Sequence, residues 1–278
     1  NPEPDRRTGL LSGRAGGPID RPFMVSWPSQ CASLVCWHGS TLGTGAVQPT
    51  PLDGAARGQD TSEPSPLTRS RAMATIRLDR VWKRYGLIEA VRDLSLTCDD
   101  GEMLALLGPS GCGKTSTLKM VAGIEEVSEG EILFDDRPVS QLAPAERNIA
   151  MVFEDYALYP HLSVFENIAF PLRIRRLPGA ELDRRVASAI GLLGLESLRD
   201  ESVRRLSGGA QQRVSIGRAL VREPELVLFD EPLSHLDGDQ KVQLRAEIKR
   251  LQQTAGLTAI LVTHDQTEAI AMSDRVAV

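Results

Sequence analysis

The segment Gly108-Pro-Ser-Gly-Cys-Gly-Lys-Thr115 constrains the fold of this chain more than any other feature. It matches G-x-x-x-x-G-K-[ST] at each fixed position, with a short apolar run before it at residues 104–107 and a helical run after it at residues 115–122. In such a unit, glycines let successive backbone N–H groups face one anion, and the helix adds its positive N-terminal end. The segment, called the phosphate loop below, therefore predicts an α/β domain that binds a nucleotide.

The fixed residues of the phosphate loop each suit a triphosphate. Gly108, Gly111 and Gly113 supply backbone freedom. Lys114 places a cation against the β and γ phosphates, and the Thr115 hydroxyl can ligate Mg²⁺. A chance match in a glycine-rich turn is the alternative, which the flanking strand and helix disfavour. The loop does not distinguish a kinase from a GTPase or a motor, so that choice depends on later segments.

Residues 1–72 differ in composition from the rest of the chain. They hold nine Pro and nine Gly, against eight Pro and fifteen Gly in residues 73–278, and they contain no lysine. Because this segment shows no sustained apolar period, it cannot bury enough surface to offset the entropy of ordering it. We expect residues 1–72 to be a mostly disordered extension and residues 73–278 to form the ordered domain.

Residues 1–72 admit other interpretations. A targeting signal is disfavoured because prolines interrupt the apolar patches and no charged-then-apolar order is present. A structural zinc site is disfavoured because Cys31, Cys36 and His38 are three candidate ligands where four are needed. A sharper hypothesis is that Met73 is the native start and that the extension is translated upstream sequence. Mass spectrometry of the native N-terminus would test it.

The overall composition excludes several classes of protein. The net charge of −5, with 41% hydrophobic and 25% charged residues, is typical of a soluble globular protein and not of a strongly basic nucleic-acid binder. No stretch reaches the roughly 18 apolar residues that span a bilayer, so we do not expect the chain to cross a membrane by itself. Four cysteines in a chain of this length indicate a reducing compartment.

Apolar runs alternate with helical patterns across residues 73–278. Strand-like runs occur near residues 76–81, 104–107, 132–134, 150–153, 226–229 and 257–263. A helical stripe through residues 239–254 consists of Val242, Leu244, Ile248 and Leu251, and Gly256 closes it. Strands that alternate with helices predict a mainly parallel α/β sheet.

Four later segments resemble motifs of the ATP-binding cassette (ABC) ATPases and occur in that family's order. Leu206-Ser-Gly-Gly-Ala-Gln-Gln-Arg-Val214 resembles the signature motif, and Leu226-Val-Leu-Phe-Asp-Glu231 resembles the Walker B strand. Ser234-His-Leu-Asp237 resembles the D-loop, and Thr263-His-Asp265 resembles the switch histidine segment. The resemblance covers Met73 to Val278. Residues 152–161 are similar to the carbohydrate-importer branch, of the maltose and glycerol-phosphate type.

The resemblance implies an α/β P-loop NTPase fold with a mainly parallel core sheet, an antiparallel β subdomain and a helical signature subdomain. The family would continue with further elements after Val278. We therefore expect residues 73–278 to be an ABC ATP-binding domain that is incomplete at its C-terminus.

The signature motif has a physical interpretation of its own. Ser207 precedes two glycines and a helical run, so it can cap a helix whose open N–H groups face an anion. An ordinary capped helix is the alternative. This helix end cannot easily share a phosphate with the Lys114 helix of the same chain. The resemblance implies that two subunits dock head to tail, each signature motif contacting the γ-phosphate held by the other subunit.

The resemblance implies a set of site residues for ATP and Mg²⁺. Contacts to ATP are expected at Tyr85, Gly108, Pro109, Ser110, Gly111, Cys112, Gly113, Lys114, Thr115, Ser116, Ser207, Gly208, Gly209 and Asp237. Contacts to Mg²⁺ are expected at Thr115, Glu154 and Asp230, and the catalytic residues are expected to be Lys114, Glu231 and His264.

Several of these roles have alternatives. The resemblance implies that Glu231 is the general base and that His264 holds the γ-phosphate and the water. The alternative for Glu231 is a solvated loop, and the alternative for His264 is a structural role. Asp230 ends an apolar strand, where a carboxylate can hold Mg²⁺ directly or through water. Tyr85 matches the aromatic residue that stacks on adenine, and packing in a strand is the alternative.

The chain departs from the family pattern at two positions, Glu154 and Ala210, whereas Cys112 is common in the carbohydrate-importer branch. Glu154 stands where the family has glutamine, and its charge near a triphosphate predicts weaker ATP binding or slower turnover, with Glu154→Gln restoring it. Ala210 replaces a residue that is often polar. Cys112 lies inside the phosphate loop, so thiol reagents should inhibit and ATP should protect.

The resemblance predicts the ATP-hydrolysing, energy-coupling subunit of an importer for sugars or related solutes. Its expected partners are a second ATPase subunit, membrane permease subunits and, indirectly, a solute-binding protein, with no nucleic acid. Residues 156–172 would receive a short permease helix and hold the subunit at the cytoplasmic membrane face. The alternatives are a soluble ABC ATPase acting on DNA or ribosomes and an inactive ATP-binding fragment. A plain P-loop kinase would leave the signature motif and His264 unexplained.

Overall fold

The computed structural model describes residues 74–278, together with the backbone of three two-residue strands, β1 (Met24–Val25), β2 (Leu34–Val35) and β3 (Trp37–His38). The expectation of disorder in residues 1–72, with its zinc and start-site alternatives, falls on residues outside this description apart from those six positions. The sequence-based division at residue 73 therefore stays a prediction.

The remaining helices and strands follow in chain order. They are β4 (Ile76–Tyr85), β5 (Ile88–Cys98), β6 (Met103–Leu107), α1 (Lys114–Ala122), β7 (Glu129–Phe134), β8 (Arg137–Pro138), β9 (Ile149–Val152), α2 (Val164–Ile174), α3 (Gly179–Leu192), α4 (Gly208–Leu220), β10 (Leu226–Asp230), α5 (Gly238–Ala255), β11 (Ala259–Thr263), α6 (Gln266–Met272) and β12 (Arg275–Ala277). Each strand-like run singled out in the sequence lies in or overlaps one of these strands.

The strands form a mainly parallel sheet and an antiparallel sheet. The first has the order β3-β12-β6-β11-β10-β9, and its neighbours are parallel except at the β3–β12 edge. The second has the order β5-β4-β7-β8 and is antiparallel throughout. The predicted fold class, a parallel α/β core with an antiparallel β unit, is confirmed.

Successive residues of the parallel strands belong to two different hydrophobic clusters, because side chains alternate between the faces of a sheet. One cluster contains Met103, Ala105, Val227, Phe229, Ala259 and Leu261, with apolar residues of α2 to α6. The other contains Leu104, Leu106, Leu226, Leu228, Ile260 and Val262, with apolar residues of α1 and the antiparallel sheet. The strands read as continuous apolar runs because both faces are covered.

One detail of the helix prediction is wrong. Leu244, Ile248 and Leu251 of α5 are buried, but Val242 is 63% exposed. Since each residue turns an α-helix by about 100°, Val242 lies nearly opposite Leu244 and cannot share its stripe. The predicted closure is confirmed, because Gly256 ends α5 in the left-handed conformation. Among residues 74–278, no helix combines the length and apolarity needed to cross a membrane.

Candidate functional site

The carboxyl ends of three neighbouring parallel strands bring the predicted site residues to one edge of the sheet. The phosphate loop follows β6, Glu231 follows β10, and His264 follows β11. Because β6 and β10 flank β11 in the sheet, these segments are adjacent although Gly108 and His264 are 156 residues apart in the chain. The edge assembles a loop of glycines, a lysine, two carboxylates and a histidine.

Backbone geometry at the phosphate loop requires glycine. Gly111 and Gly113 have φ angles of +84° and +95°. A Cβ atom on Gly113 would lie 2.4 Å from the carbonyl oxygen of Ala90, so any side chain would clash with β5. The loop leads into α1, whose N-terminus receives no side-chain cap and has no acidic residue in its first turn. The open N–H groups of α1 therefore remain available to an anion.

Lys114 lies beneath the phosphate loop rather than in solvent. It is 8% exposed, and its Nζ donates to the carbonyl oxygens of Gly108 at 2.7 Å and Pro109 at 2.9 Å. Both acceptors are neutral, so the nearby groups do not neutralise the ammonium charge. An anion in the loop would provide the charge-assisted partner that these carbonyls do not.

The remaining loop residues differ in exposure. Pro109, Ser110 and Gly111 are exposed, while Ser116 and the free thiol of Cys112 are half-buried. The Cys112 Sγ lies 3.9 Å from the Lys114 Nζ. A reagent attached to that thiol would therefore occupy space beside the lysine, and the expected sensitivity to thiol reagents stays a prediction.

Asp230 and Thr115 form the oxygen pair of the site. The Thr115 hydroxyl donates to Oδ1 of Asp230 at 3.2 Å. Burial raises the pKa of Asp230, the Thr115 hydrogen bond opposes this, and the charges of Glu231 and Glu154 raise the pKa further. A divalent cation would offset both the desolvation cost of the Asp230 carboxylate and its repulsion by Glu231 and Glu154.

The donor set fits a magnesium ion carried by a phosphate ligand. Within residues 74–278, no group of three or more His, Cys, Asp or Glu side chains could hold a metal. Mg²⁺ commonly takes one or two protein oxygens and completes its coordination with phosphate and water. The Thr115 and Asp230 oxygens would supply that protein share.

Glu231 and His264 are in direct contact. His264 Nδ1 lies 2.8 Å from Oε2 of Glu231, which suits a hydrogen bond. Glu231 has a φ angle of +46°, a conformation that is uncommon outside glycine and that clusters at functional sites. Its backbone N–H donates to the carbonyl oxygen of Val262 at 3.0 Å, so β11 helps to hold this residue in place. The arrangement positions a carboxylate and an imidazole together at the strand ends.

Glu154 lies beside a residue that the sequence analysis did not assign a role. It is about half exposed, and its Oε1 lies 3.6 Å from Nε2 of His235. It is near enough to Asp230 for its charge to raise the pKa of that carboxyl. The position next to the oxygen pair agrees with the sequence expectation, while the His235 contact could not be read from either motif.

The signature motif lies at the N-terminus of α4. Ser207 caps the helix by accepting a hydrogen bond from the Ala210 N–H at 3.4 Å. A Cβ atom on Gly208 would lie 3.0 Å from Leu236 Cδ2 and 3.2 Å from the hydroxyl of Tyr156, so the helix start is closely packed. Ser207 itself is exposed, and Gly209 is half-buried. The predicted capped helix is present, with its serine facing solvent.

Asp237 precedes α5 and is also exposed. It is the N-cap residue of that helix by position, yet its side chain makes no capping hydrogen bond. The carboxylate is therefore not engaged by its own helix. Ser207 and Asp237 both present polar atoms outward.

Tyr85 ends β4 close to α1. It is 43% exposed, and its hydroxyl lies 3.3 Å from Oγ of Ser116 and within hydrogen-bonding reach of the Glu125 carboxylate. Partial burial and the Glu125 hydrogen bond raise the pKa of Tyr85. Lys83 lies over the ring. The packing interpretation fits poorly with this exposure, and the roles of Lys83 and Glu125 were missed because no motif contains them.

A groove lies beside β9 and is lined by residues of that strand, of α2 and of α4. Its volume is about 650 Å³, and its lining includes Ile124, Met151, Tyr159, Phe170, Ile174 and Arg218. Among the apolar side chains of residues 156–172, the range predicted to receive a permease helix, Tyr159 and Phe170 line the groove with ring centroids 4.4 Å apart, whereas Val164 is buried in the core. Ile174, at the end of α2, is 67% exposed.

Buried polar groups hold the loop that forms the groove wall. Asn167 accepts from the Tyr159 N–H at 2.8 Å and donates to the carbonyl oxygens of Tyr159, Leu162 and Ser163. Arg218 donates to the carbonyl oxygens of Tyr156 and Ala157. The loop after Glu154 is therefore held by side chains of α2 and α4 in addition to its own backbone turns.

Comparison with known proteins places these motifs in one family. A family model described as ABC transporter matches residues 91–234. The chain is 53% identical over 212 residues to the trehalose/maltose import ATP-binding protein MalK of Thermococcus litoralis, covering 74% of this chain and 57% of that protein. It is 53% identical over 207 residues to the sn-glycerol-3-phosphate import ATP-binding protein UgpC of Rhizobium meliloti, covering 74% and 59%. The chain thus spans less than two thirds of these curated relatives.

Solved structures give the same fold. CbiO1 of Clostridium perfringens, part of the ABC transporter complex cbiONQ, matches with a TM-score of 0.67 at 28% identity, over 74% of this chain and 87% of that one. The bacterial ABC transporter cassette MJ0796, solved as a dimer, matches with a TM-score of 0.64 at 31% identity, over 72% and 92%.

Proposed function

Because the chain belongs to the ABC transporter family, we propose that it is the ATP-hydrolysing, energy-coupling subunit of an importer for sugars or related solutes. The observation that carries the proposal is the meeting of the phosphate loop, the Thr115–Asp230 pair and the Glu231–His264 pair at one edge of the sheet. The names of the MalK and UgpC relatives support the solute class.

ATP binding follows from the groups that the chain leaves open. The triphosphate would lie over residues 108–113, with the N–H groups of α1 and the ammonium group of Lys114 on its oxygens. Ser116 lies in the first turn of α1, where it adjoins the same phosphates. The adenine base would stack on the exposed face of Tyr85, beside the helix start.

Hydrolysis would use the two pairs of side chains together. Thr115 and Asp230, with Glu154 nearby, would hold Mg²⁺, and the ion would neutralise charge on the transferred phosphoryl group. Glu231 accepts the proton of the attacking water as general base. His264 keeps the Glu231 carboxylate oriented and contacts the γ-phosphate. The Glu231–His264 contact at 2.8 Å would place both groups beside the same water molecule.

A second copy of the chain would complete the site. Ser207, Gly208 and Gly209 would contact the γ-phosphate held by the partner's phosphate loop, and Asp237 would act across the same interface. The exposure of Ser207 and the uncapped Asp237 support this assignment. Dimer closure with ATP and opening after hydrolysis would then drive a membrane permease.

The groove beside β9 suits the permease contact. A short amphipathic helix in the groove would find apolar side chains, including Tyr159 and Phe170, and the cation of Arg218. Its proximity to the loop after Glu154 would couple permease movement to the Mg²⁺ site. The subunit would lie at the cytoplasmic membrane face through this partner, and a solute-binding protein would act on the permease from the opposite side.

Substitution of Glu231 tests the proposal. The chain should hydrolyse MgATP, and Glu231→Gln should lower turnover by about 100-fold or more while ATP still binds, since a general base supplies about that factor. Size-exclusion chromatography should show an ATP-dependent dimer of the variant that is absent with ADP. Asp239→Asn, an exposed carboxylate in the first turn of α5, is the matched control. Unchanged turnover in the Glu231 variant, or failure of ATP to bind, would refute the proposal.

A further inference from the structure

Tyr85 is held by two residues that no sequence motif includes. Lys83 Nζ lies 4.9 Å from the centroid of the Tyr85 ring and covers one face. The Tyr85 hydroxyl donates to the Glu125 carboxylate, which also lies 3.5 Å from Lys83 Nζ. One face of the ring is therefore against a cation and its oxygen is tied to a carboxylate, while 43% of the residue remains exposed.

Lys83 is itself fixed in place. It is 9% exposed, and its ammonium group donates to the carbonyl oxygen of Glu126 at 2.8 Å. A buried lysine with three defined partners, two oxygens and a ring, is costly to desolvate unless those partners persist. Its position is thus set by the turn at residues 125–126 as well as by β4.

Glu125 is anchored to the helix that begins at the phosphate loop. Its backbone N–H donates to the carbonyl oxygen of Lys119 at 3.2 Å, and its carboxylate lies 3.8 Å from Lys119 Nζ. Because Lys119 belongs to α1, the carboxylate that holds the Tyr85 hydroxyl is positioned by that helix. Ser116, on the same helix, lies 3.3 Å from the same hydroxyl. The ring is therefore aligned with α1 rather than only with β4.

We propose that Lys83 and Glu125 are positioning residues that fix the Tyr85 ring in register with α1, so that a purine base stacks on its open face while the triphosphate occupies the phosphate loop. The inference rests on the proposed function, in which Tyr85 stacks on the base. A ring that is already ordered loses less rotamer entropy when a base binds. Lys83 and Glu125 accordingly raise the affinity for the base and leave the affinity for the phosphates unchanged.

Comparing ATP with inorganic tripolyphosphate separates these two contributions. Both ligands engage the phosphate loop, but tripolyphosphate has no base. The measured quantity is the ratio of the tripolyphosphate to the ATP dissociation constant, with Mg²⁺ present, for the full chain. Tyr85→Ala should lower this ratio by roughly tenfold or more, since aromatic stacking on a base contributes that much.

The positioning variants should reproduce part of that loss. Glu125→Ala and Lys83→Met should each lower the ratio by roughly threefold to fivefold, a fraction of the stacking contribution. Tyr85→Phe, which keeps the ring and removes its hydroxyl, should match Glu125→Ala. In the Glu125→Ala/Tyr85→Ala double variant the ratio should fall no further than in Tyr85→Ala alone. Glu126→Ala removes the same charge from the adjacent, exposed side chain and should leave the ratio unchanged.

The outcomes distinguish the positioning role of Lys83 and Glu125 from base stacking on Tyr85. If Tyr85→Ala lowers the ratio but Glu125→Ala and Lys83→Met do not, the positioning role is refuted and base stacking stands. If Tyr85→Ala leaves the ratio unchanged, stacking and positioning both fail. If neither ligand binds the unmodified chain, the proposed function fails first. Thermal unfolding of each variant identifies any that are unfolded, and Tyr85→Phe, which removes only one oxygen, keeps the test available in that case.

Discussion

The N-termini of α1 and α4 differ in how their open backbone N–H groups are capped. Both helices begin with N–H groups that have no helical acceptor. At α1 the residue before the helix is Gly113, no side chain caps the amides, and buried Lys114 lies among them. At α4 the exposed Ser207 caps the helix itself. The α1 end has no side-chain cap, whereas an exposed serine caps one amide of the α4 end.

The difference indicates which ligand contacts a single chain can make. An uncapped helix end next to a buried cation is costly unless an anion binds there, so the α1 end is a site in its own right. A capped and exposed end is stable alone, so the α4 end acquires a ligand only when one is brought to it. The proposed second subunit brings that ligand, which is the phosphate held at its own α1.

The largest expected effect comes from removing the cation at α1. Lys114→Ala should weaken ATP binding by about 100-fold or more, because the loop would lose its charge-assisted partner for the phosphates. Equilibrium binding of ATP measures this directly. The control Lys249→Ala removes a lysine of α5 that pairs with Asp274, and it should leave ATP binding unchanged. Near-normal ATP binding by Lys114→Ala would mean that the open amides suffice and that the buried cation is not part of the site.

The C-terminus of α1 gives the next effect, on stability. Arg147 is 1% exposed and donates to the carbonyl oxygens of Met120, Val121, Leu142 and Ser140. Burial lowers its pKa, yet these carbonyls suit the charged form. Arg147→Met should lower the free energy of unfolding by about 3 kcal/mol, because buried carbonyls at a helix end would lose their donors. Urea unfolding measures it.

A matched surface variant makes the Arg147 result specific. Arg250→Met removes an arginine from α5 and should change the free energy of unfolding by less than about 0.5 kcal/mol. If the two variants are equally stable, the buried guanidinium does not hold the end of α1, and the helix would owe its position to packing alone.

The two serine caps separate a structural role from a catalytic one. Ser163 caps α2 as Ser207 caps α4, and each accepts a hydrogen bond from an N–H three residues later. Ser207→Ala and Ser163→Ala should both cost about 1 kcal/mol of stability. Only Ser207→Ala should also reduce ATP turnover, by about tenfold, since the hydroxyl would no longer reach the partner's phosphate. Phosphate release and thermal unfolding together measure this, and equal loss of turnover in both variants would reduce the effect to helix stability.

Much of this architecture could be predicted because it depends on local patterns. The buried strands are continuous apolar runs, and the phosphate loop and the Ser207 cap follow from residues close in sequence. The error at Val242 shows the limit, since a residue can match a stripe in composition while facing the opposite side of the helix.

The missing parts are contacts between residues far apart in the chain. Glu125 lies 40 residues from Tyr85, and Arg147 lies 27 residues from Met120. The contact of Glu154 with His235 joins two separate loops. No short sequence spacing predicts such pairs, because they form only when the strand order brings the loops together. They became visible only with the tertiary structure.

Glu154 provides the smallest expected effect and the finest test of the α1 site. Its charge adds to that of Asp230 and Glu231 where a triphosphate is proposed to bind, and Nε2 of His235 lies 3.6 Å from its Oε1. Glu154→Gln should raise MgATP affinity or turnover by about twofold to fivefold, since a partly exposed like charge costs about that much. Asp155→Asn is the control because it removes the same charge from the next, exposed residue. Equal gains in both variants would indicate general electrostatics, whereas no gain at Glu154 would show that the predicted cost of its charge is wrong.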